Sequence, residues 1–201
     1  MDRANATPGQ MVLAVVLTCA VAASALSVTY DLTKDRIAEQ ERAAEVASLG
    51  EVLPDASEFV AMEDLLESAQ VAAGDSDVGA VYRAEGESGD LMGWGVRIAA
   101  RGYGGPIRMV VGLDRNGQVT GVSIITNTET PGLGTEVLAS DDFMTQFVGW
   151  DGLDIDSAAK AYDAVTGASK SSNGVRTGVL ASGHVFQEVL SGIREGGAVD
   201  E

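Results

Sequence analysis

Residues 11–30 read MVLAVVLTCAVAASALSVTY, and no charged side chain occurs anywhere between Arg3 and Asp31. Twenty residues of helix at about 1.5 Å each span about 30 Å, the thickness of a bilayer's hydrocarbon core. A buried helix of a globular domain rarely runs so far without a charge, so this stretch is expected to be a retained transmembrane helix. The competing reading is a cleaved signal peptide, with Arg3 in the leading region and Ala23-Ser24-Ala25 as a small-residue cleavage site. The apolar run continues past that site, which favours the anchor. Val16-Leu17-Thr18-Cys19 is a poor lipoprotein box because Thr precedes the Cys, and Cys19 reads as a small apolar residue facing lipid.

The body beyond the anchor is acidic. The chain holds 13 Lys and Arg against 30 Asp and Glu, a net charge of −17, and residues 31–201 carry 12 of those basic and 29 of those acidic groups. Such a body excludes nucleic acid as a partner, because phosphates need a basic stripe. It equally excludes docking to anionic lipid by charge. A hydrophobic share of 45% excludes a disordered chain. One Cys rules out an internal disulfide framework, and a single His, His184, rules out a His-rich metal site. Lys34, Arg36 and Arg42 come after the apolar segment while only Arg3 precedes it, a bias toward a cytoplasmic body that loses force when a long domain is attached.

The organisation is expected to be a short tail (1–10), the transmembrane helix (11–30), a juxtamembrane helical segment (31–73), the main domain (74–195) and a C-terminal tail (196–201). Residues 31–49 are Ala- and charge-rich and stop at Gly50, a natural C-cap. A second helix is expected over 58–73, with Phe59, Met62, Leu65, Leu66 and Ala69 on one face. Of 25 glycines, 23 lie at or after Gly74, and the character changes there. Residues 78–84, 91–100, 107–113 and 118–126 read as short strands between Gly-rich turns. Asp114-Arg115-Asn116-Gly117 marks a hairpin, Asn-Gly accepting the positive φ of a primed turn. Helices are expected at 140–148 and 173–193. The fold class is α+β: one N-terminal transmembrane helix, then an antiparallel sheet flanked by helices.

Two stretches carry more than structure. In Glu129-Thr130-Pro131-Gly132-Leu133-Gly134, Pro then Gly specify a type II turn, with Gly132 expected at positive φ. This is either an ordinary strand-to-helix turn or a loop whose backbone approaches a ligand. The second stretch runs from Asp163 through Thr166-Gly167-Ala168-Ser169-Lys170-Ser171-Ser172 to Asn173. It reads either as an N-cap loop with spare hydroxyls or as an anion site. From residue 164 to residue 187 there is no Asp or Glu, where 30 in 201 predicts about 3.6, and the same window holds Lys170 and Arg176.

These residues also carry a resemblance. Asp163-x-x-Thr166-Gly167-Ala168-Ser169 resembles the flavinylation motif of FMN-binding domains, in which the last hydroxyl is joined to FMN by a phosphoester. Gly102-Tyr103-Gly104-Gly105-Pro106-Ile107 and ETPGLG at 129–134 match other signatures of that family in the same order. With one anchor and about 200 residues, the chain is most similar to the G subunit of Rnf electron-transport complexes. The C subunit of the sodium-translocating NADH:quinone reductase is a longer relative. The resemblance covers roughly residues 10–195.

It implies covalent FMN on Ser169, with Asp163, Thr166, Gly167, Ala168 and Lys170 around the attachment point. It also places Glu129, Thr130, Gly132, Leu133 and Gly134 against the flavin, with Tyr103 or Trp94 flanking the ring. The phosphoester's charge would be met by helix amides, Lys170 and the Ser171 and Ser172 hydroxyls. Implied partners are the other membrane subunits of such a complex and an FMN transferase. The implied location is the cytoplasmic membrane, single-pass, with the domain on the outer side. The role is a redox subunit of an ion-translocating oxidoreductase, relaying electrons between ferredoxin and NAD or a quinone-like acceptor. The alternatives are a stand-alone membrane-anchored flavin reductase and an anchored domain without flavin.

The chain departs from the family pattern twice. Ser169 stands where Thr is usual, and Asn127 stands two residues before ETPGLG where His is frequent. Lys160 reads as a solvated lysine, with facing the phosphate as its alternative, and His184 as a packing or surface residue.

Overall fold

A computed structural model describes residues 8–129, 134–158 and 162–193. The chain divides into two compact units, residues 1–43 and 44–201, and helix α1 (Pro8–Val52) contributes to both.

In the first unit, one window of α1 has a mean hydropathy of 2.4 and none of it is buried. Leu13, Val15, Leu17 and Val21 all stand exposed. The hydroxyls of Thr18, Ser24 and Thr29 donate to the carbonyls of Ala14, Ala20 and Ala25 at 2.8–2.9 Å, so these three are satisfied within the helix. An all-round apolar helix with its polar groups turned inward suits hydrocarbon, and it is long enough to cross a membrane once.

The second unit is an α+β domain. Its five strands, β1 (Glu58–Ala61), β2 (Asp77–Glu85), β3 (Leu91–Arg101), β4 (Pro106–Asp114) and β5 (Val119–Thr126), pair antiparallel in sequence order. Helices α2 (Leu66–Ala73), α3 (Gly134–Leu138), α4 (Asp141–Thr145), α5 (Ile155–Ala158) and α6 (Ser169–Val185) complete it, with a π-helical turn at Phe186–Leu190.

Strand alternation sends side chains to two faces. Trp94, Val96, Ile98, Ile107, Met109, Val111 and Leu113 pack with Val175 and Val179 of α6 and with Ala69 and Ala73 of α2 in the main core. Val110 and Ala84 point the other way, to Leu49, Val52 and Leu53 at the end of α1.

A row of glycines crosses that second face. Gly95, Gly112 and Gly121 are direct partners across β3, β4 and β5. A Cβ at Gly112 would lie 2.9 Å from Val52 Cβ, and one at Gly121 would lie 3.3 Å from Val52 Cα. The row therefore lets the last turn of α1 lie flat on the sheet. Around it, Thr120 Oγ1 donates to Val52 O at 2.6 Å and Ser123 Oγ donates to Glu51 Oε2 at 2.7 Å. Arg97 pairs with Glu45 at 2.9 Å, and the Tyr82 phenol donates to the same carboxylate at 2.5 Å.

Burial first, and then the hydrogen bond to Glu45, raise the Tyr82 pKa to about 12 from 10. The folded state thus holds this proton more tightly than the unfolded chain. The Tyr82 contribution to stability is complete below pH 10 and is lost as pH rises from 10 to about 12. Denaturant midpoints at pH 9 and pH 11 should differ more for the wild type than for Tyr82→Phe; equal differences would contradict this.

Several expectations change. Residues 58–61 form a strand rather than the start of a helix. Phe59 packs against the α1 cluster and Leu65 and Ala69 against the α6 cluster, so the apparent single helical face is split between two faces of the sheet. α1 runs through Gly50 to Val52 instead of stopping there. The hairpin at Asp114–Gly117 forms, but only Gly117 has positive φ (+87°). Asp114 Oδ1 accepts from the amides of Asn116 and Gln118 at 2.8 Å, which builds a type I turn closed by a left-handed glycine, not a primed turn. The expected helix at 140–148 is α4 alone, capped by Ser140. α6 begins at Ser169, four residues before the expected start.

Candidate functional site

The N-terminus of α6 meets the 102–105 turn and the end of β5 in a cleft of about 540 Å³. It is lined by Tyr103, Glu129, Gly134, Gly167, Ala168, Ser169, Lys170 and Ser171. The loop entering α6 is turned by Gly167 at φ +87°, a conformation glycine adopts without strain. The N-cap residue is Ala168, whose side chain accepts nothing, and the first turn holds no acid. The first amides of an α-helix have no partner inside it, so this end presents bare N–H groups and the positive end of the dipole.

The serines of the first turn divide their work. Ser171, buried, donates to Glu129 Oε2 at 2.8 Å. Ser172, also buried, donates to Ala168 O at 3.1 Å and accepts from the Val165 amide at 3.2 Å. Both hydroxyls that were expected to meet a phosphate are therefore committed to the protein. Ser171 bonds away from the helix, and Ser172 shares the Ala168 carbonyl with its own amide without opening the first turn, so α6 extends through both. Ser169 is exposed and its hydroxyl makes no hydrogen bond among the described residues.

Glu129 is the hub. The residue is 6% exposed, and its carboxylate accepts from the amides of Tyr103 at 2.8 Å and Gly104 at 3.3 Å as well as from Ser171. A Cβ at Gly102 or Gly134 would collide with this carboxylate, so glycine on both sides lets it sit there. Asn127 Oδ1 accepts from the Glu129 amide at 3.1 Å, a supporting bond at the place where the family pattern has His. Lys170 Nζ lies 5.5 Å from the centre of the Tyr103 ring.

Glu129→Gln keeps an acceptor for the two amides but must recast the bond to Ser171. We expect a loss of about 1 kcal/mol and a melting temperature about 2–4 °C lower. Calorimetry showing no change would contradict the hub assignment.

Of the residues singled out from the sequence, the cleft brings together Tyr103, Glu129, Gly134, Gly167, Ala168, Ser169 and Lys170. Asp163 and Thr166 stand exposed on the approach to α6, outside the lining. Thr130, Gly132 and Leu133, the expected positive φ of Gly132, and Lys160 all lie outside the described residues. Trp94 is 1% exposed in the main core and does not line the cleft. His184 faces Asp156 at 3.4 Å on the surface of α6.

Sequence reasoning missed Gln146, which binds the main chain of Asp163, and Tyr162. Burial pushes the Tyr162 phenol up, while Arg176 and the hydrogen bond with Ser172 pull it back. No spacing in the chain announces either residue.

The FMN-binding domain family matches residues 102–182, and the RnfG N-terminal region matches residues 12–52. The G subunit of the Na(+)-translocating ferredoxin:NAD(+) oxidoreductase complex of Acetobacterium woodii is 30% identical over 188 residues, covering 85% of this chain and 87% of that protein. The G subunit of the ion-translocating oxidoreductase complex of Stutzerimonas stutzeri is 34% identical over 146 residues, 72% of this chain and 61% of its own length. The chain thus spans under two thirds of that relative. The crystal structure of NqrC from Shewanella oneidensis shares 21% identity over 54% of this chain and 58% of its own, with a TM-score of 0.45.

Residues 102–182 form an FMN-binding domain, carried by a chain whose N-terminal helix is long and apolar enough to cross a membrane. The chain belongs to the RnfG family, the G subunits of ion-translocating oxidoreductase complexes of the Rnf type.

Proposed function

We propose that this chain is the electron-relay subunit of an Rnf-type membrane complex, passing electrons between ferredoxin and NAD or a quinone-like acceptor, with FMN joined covalently to Ser169. The observation that carries the site is the state of the hydroxyls: Ser171 and Ser172 are buried and bonded, while that of Ser169 is exposed in the cleft at the head of α6 and has no partner among the described residues.

The residues fit the group. Amides of the uncapped helix end and Lys170 suit a phosphate dianion or its ester. The cleft volume suits a flavin ring, and Tyr103 supplies an aromatic wall. Thr130, Gly132 and Leu133 belong to the same proposed site by resemblance. FMN, when bound, exchanges one or two electrons. The protein's part is to hold it, tether it and limit its contact with water.

Attachment requires Ser169 Oγ to bond to phosphorus and release its proton to solvent. The phosphoanhydride of an activated flavin dinucleotide breaks, and a nucleoside monophosphate departs. An FMN transferase would catalyse this step, and the exposed Asp163 and Thr166 belong to the surface it would read.

The domain is proposed to stand on the outer side of the cytoplasmic membrane. A reporter fused after Glu201 is expected to be active only outside the cytoplasm, and robust activity of a cytoplasm-restricted reporter would overturn that topology. The relay role is tested by affinity purification from mild detergent. Recovery of the other membrane subunits with a flavin-fluorescent chain is expected, and recovery of the flavin-bearing chain alone would contradict it.

A further inference from the structure

The loop that leads to Ser169 has little apolar anchorage. Between Tyr162 and Ala168 every described residue is exposed, so the path of the main chain depends on polar clips. Two come from α6 itself: Ser172 holds the Val165 amide and the Ala168 carbonyl, and the Arg176 guanidinium lies 5.5 Å from the Tyr162 ring centre.

The third comes from a different element. Gln146, at the end of α4, accepts from the Asp163 amide through Oε1 at 2.9 Å. Its Nε2 donates to the Asp163 carbonyl at 3.4 Å and to the Phe143 carbonyl at 2.9 Å. One side-chain amide thus binds both main-chain groups of one residue, as a neighbouring strand would. The next residue repeats the match: the Phe147 ring stacks on that of Tyr162 at 6.4 Å and 28°. Phe147 is fully buried, and its edge contacts with Phe143 and Trp150 fix it in the core. Gln146-Phe147 therefore docks Tyr162-Asp163 residue for residue and leaves the Asp163 carboxylate facing outward.

We infer that Gln146 is a positioning residue for flavin attachment: its amide fixes the Asp163 main chain and so sets how the Asp163–Ser169 segment is presented to the modifying enzyme. The inference rests on the reading of Ser169 as the acceptor. Without the clip the segment samples more conformations, and the modifying enzyme must select the productive one, which slows attachment without altering the finished site.

The test uses the full chain in detergent, incubated with an FMN transferase and FAD, with attachment followed as flavin fluorescence of the denatured band. Gln146→Met keeps the length and removes the hydrogen bonds; Gln146→Glu keeps the acceptor for the Asp163 amide. Attachment to Gln146→Met is expected to be about tenfold slower than to wild type. Gln146→Glu is expected to fall between them, with melting temperatures above the assay temperature throughout. Rates for Gln146→Met within twofold of wild type would overturn the inference. A Gln146→Met chain that melts below the assay temperature would also overturn it, by placing Gln146 in folding rather than presentation. A wild-type chain that takes no flavin would instead strike the Ser169 assignment itself.

Discussion

Ser169→Ala is expected to remove covalent flavin completely and leave the domain folded. The first half rests on the hydroxyl inventory. Ser171 is held by Glu129 and Ser172 by the loop carbonyl of Ala168, so neither replaces Ser169 as an acceptor without breaking a buried bond. Thr166, exposed but outside the cleft lining, lacks the helix amides and Lys170 beside it. The second half rests on position. Ser169 is the first residue of α6, exposed and with no hydroxyl partner among the described residues, where Ala is well tolerated in a helix. The melting temperature should move by no more than about 2 °C. Ser169→Thr should keep flavin, since the same oxygen is offered with one added methyl at an exposed site. Covalent flavin persisting in Ser169→Ala would defeat the assignment.

The largest stability effect is expected on the opposite face of the sheet. Gly112→Leu pushes a branched side chain into the space held by Thr120 and Val52, where even a Cβ would collide with Thr120 Oγ1 and stand 2.9 Å from Val52 Cβ and Cγ2. The neighbour cannot yield easily, because Val52 is 3% exposed and its carbonyl is tied to Thr120. Overpacking of this kind costs about 3 kcal/mol, or about 10 °C in melting temperature for a domain of this size. Gly50→Ala supplies the opposite sign on the same helix. It lies inside α1 with nothing within 4 Å of a Cβ, so the substitution should stabilise by about 0.5–1 kcal/mol. Thermal melts of the two variants side by side check the seat of α1. A Gly112→Leu chain as stable as wild type would mean that the last turn of α1 does not rest on the glycine row.

The four longer strands and α6 were legible because each carries a local signal. Alternating β-branched residues sit between Gly-rich turns, and a run of small and apolar residues comes after a hydroxyl-rich start. β1 was not legible, because Phe59, Leu65 and Ala69 fit a helical period even though the sheet assigns them to different faces. The glycine row was not legible either. Gly95, Gly112 and Gly121 are far apart in the chain and meet only through strand register.

The site divides the same way. The Thr166–Ser169 motif and the acid-free window stand together in the sequence, so Gly167, Ala168, Ser169 and Lys170 of the cleft lining were within reach. The roles of Ser171 and Ser172 depend on Glu129 and Val165, and that of Gln146 on a loop 17 residues away. A hydroxyl's availability is a property of its neighbours, which composition and spacing do not reveal.

The central claim is that Ser169 carries FMN, and peptide mapping of the full chain made alongside an FMN transferase tests it most directly. Cleavage after Lys160 and Lys170 isolates residues 161–170, which hold both Thr166 and Ser169 but neither Ser171 nor Ser172. The account predicts one FMN, less the water lost on esterification, on this peptide, with fragment ions placing it on Ser169. An unmodified peptide, or an adduct on Thr166, would contradict it.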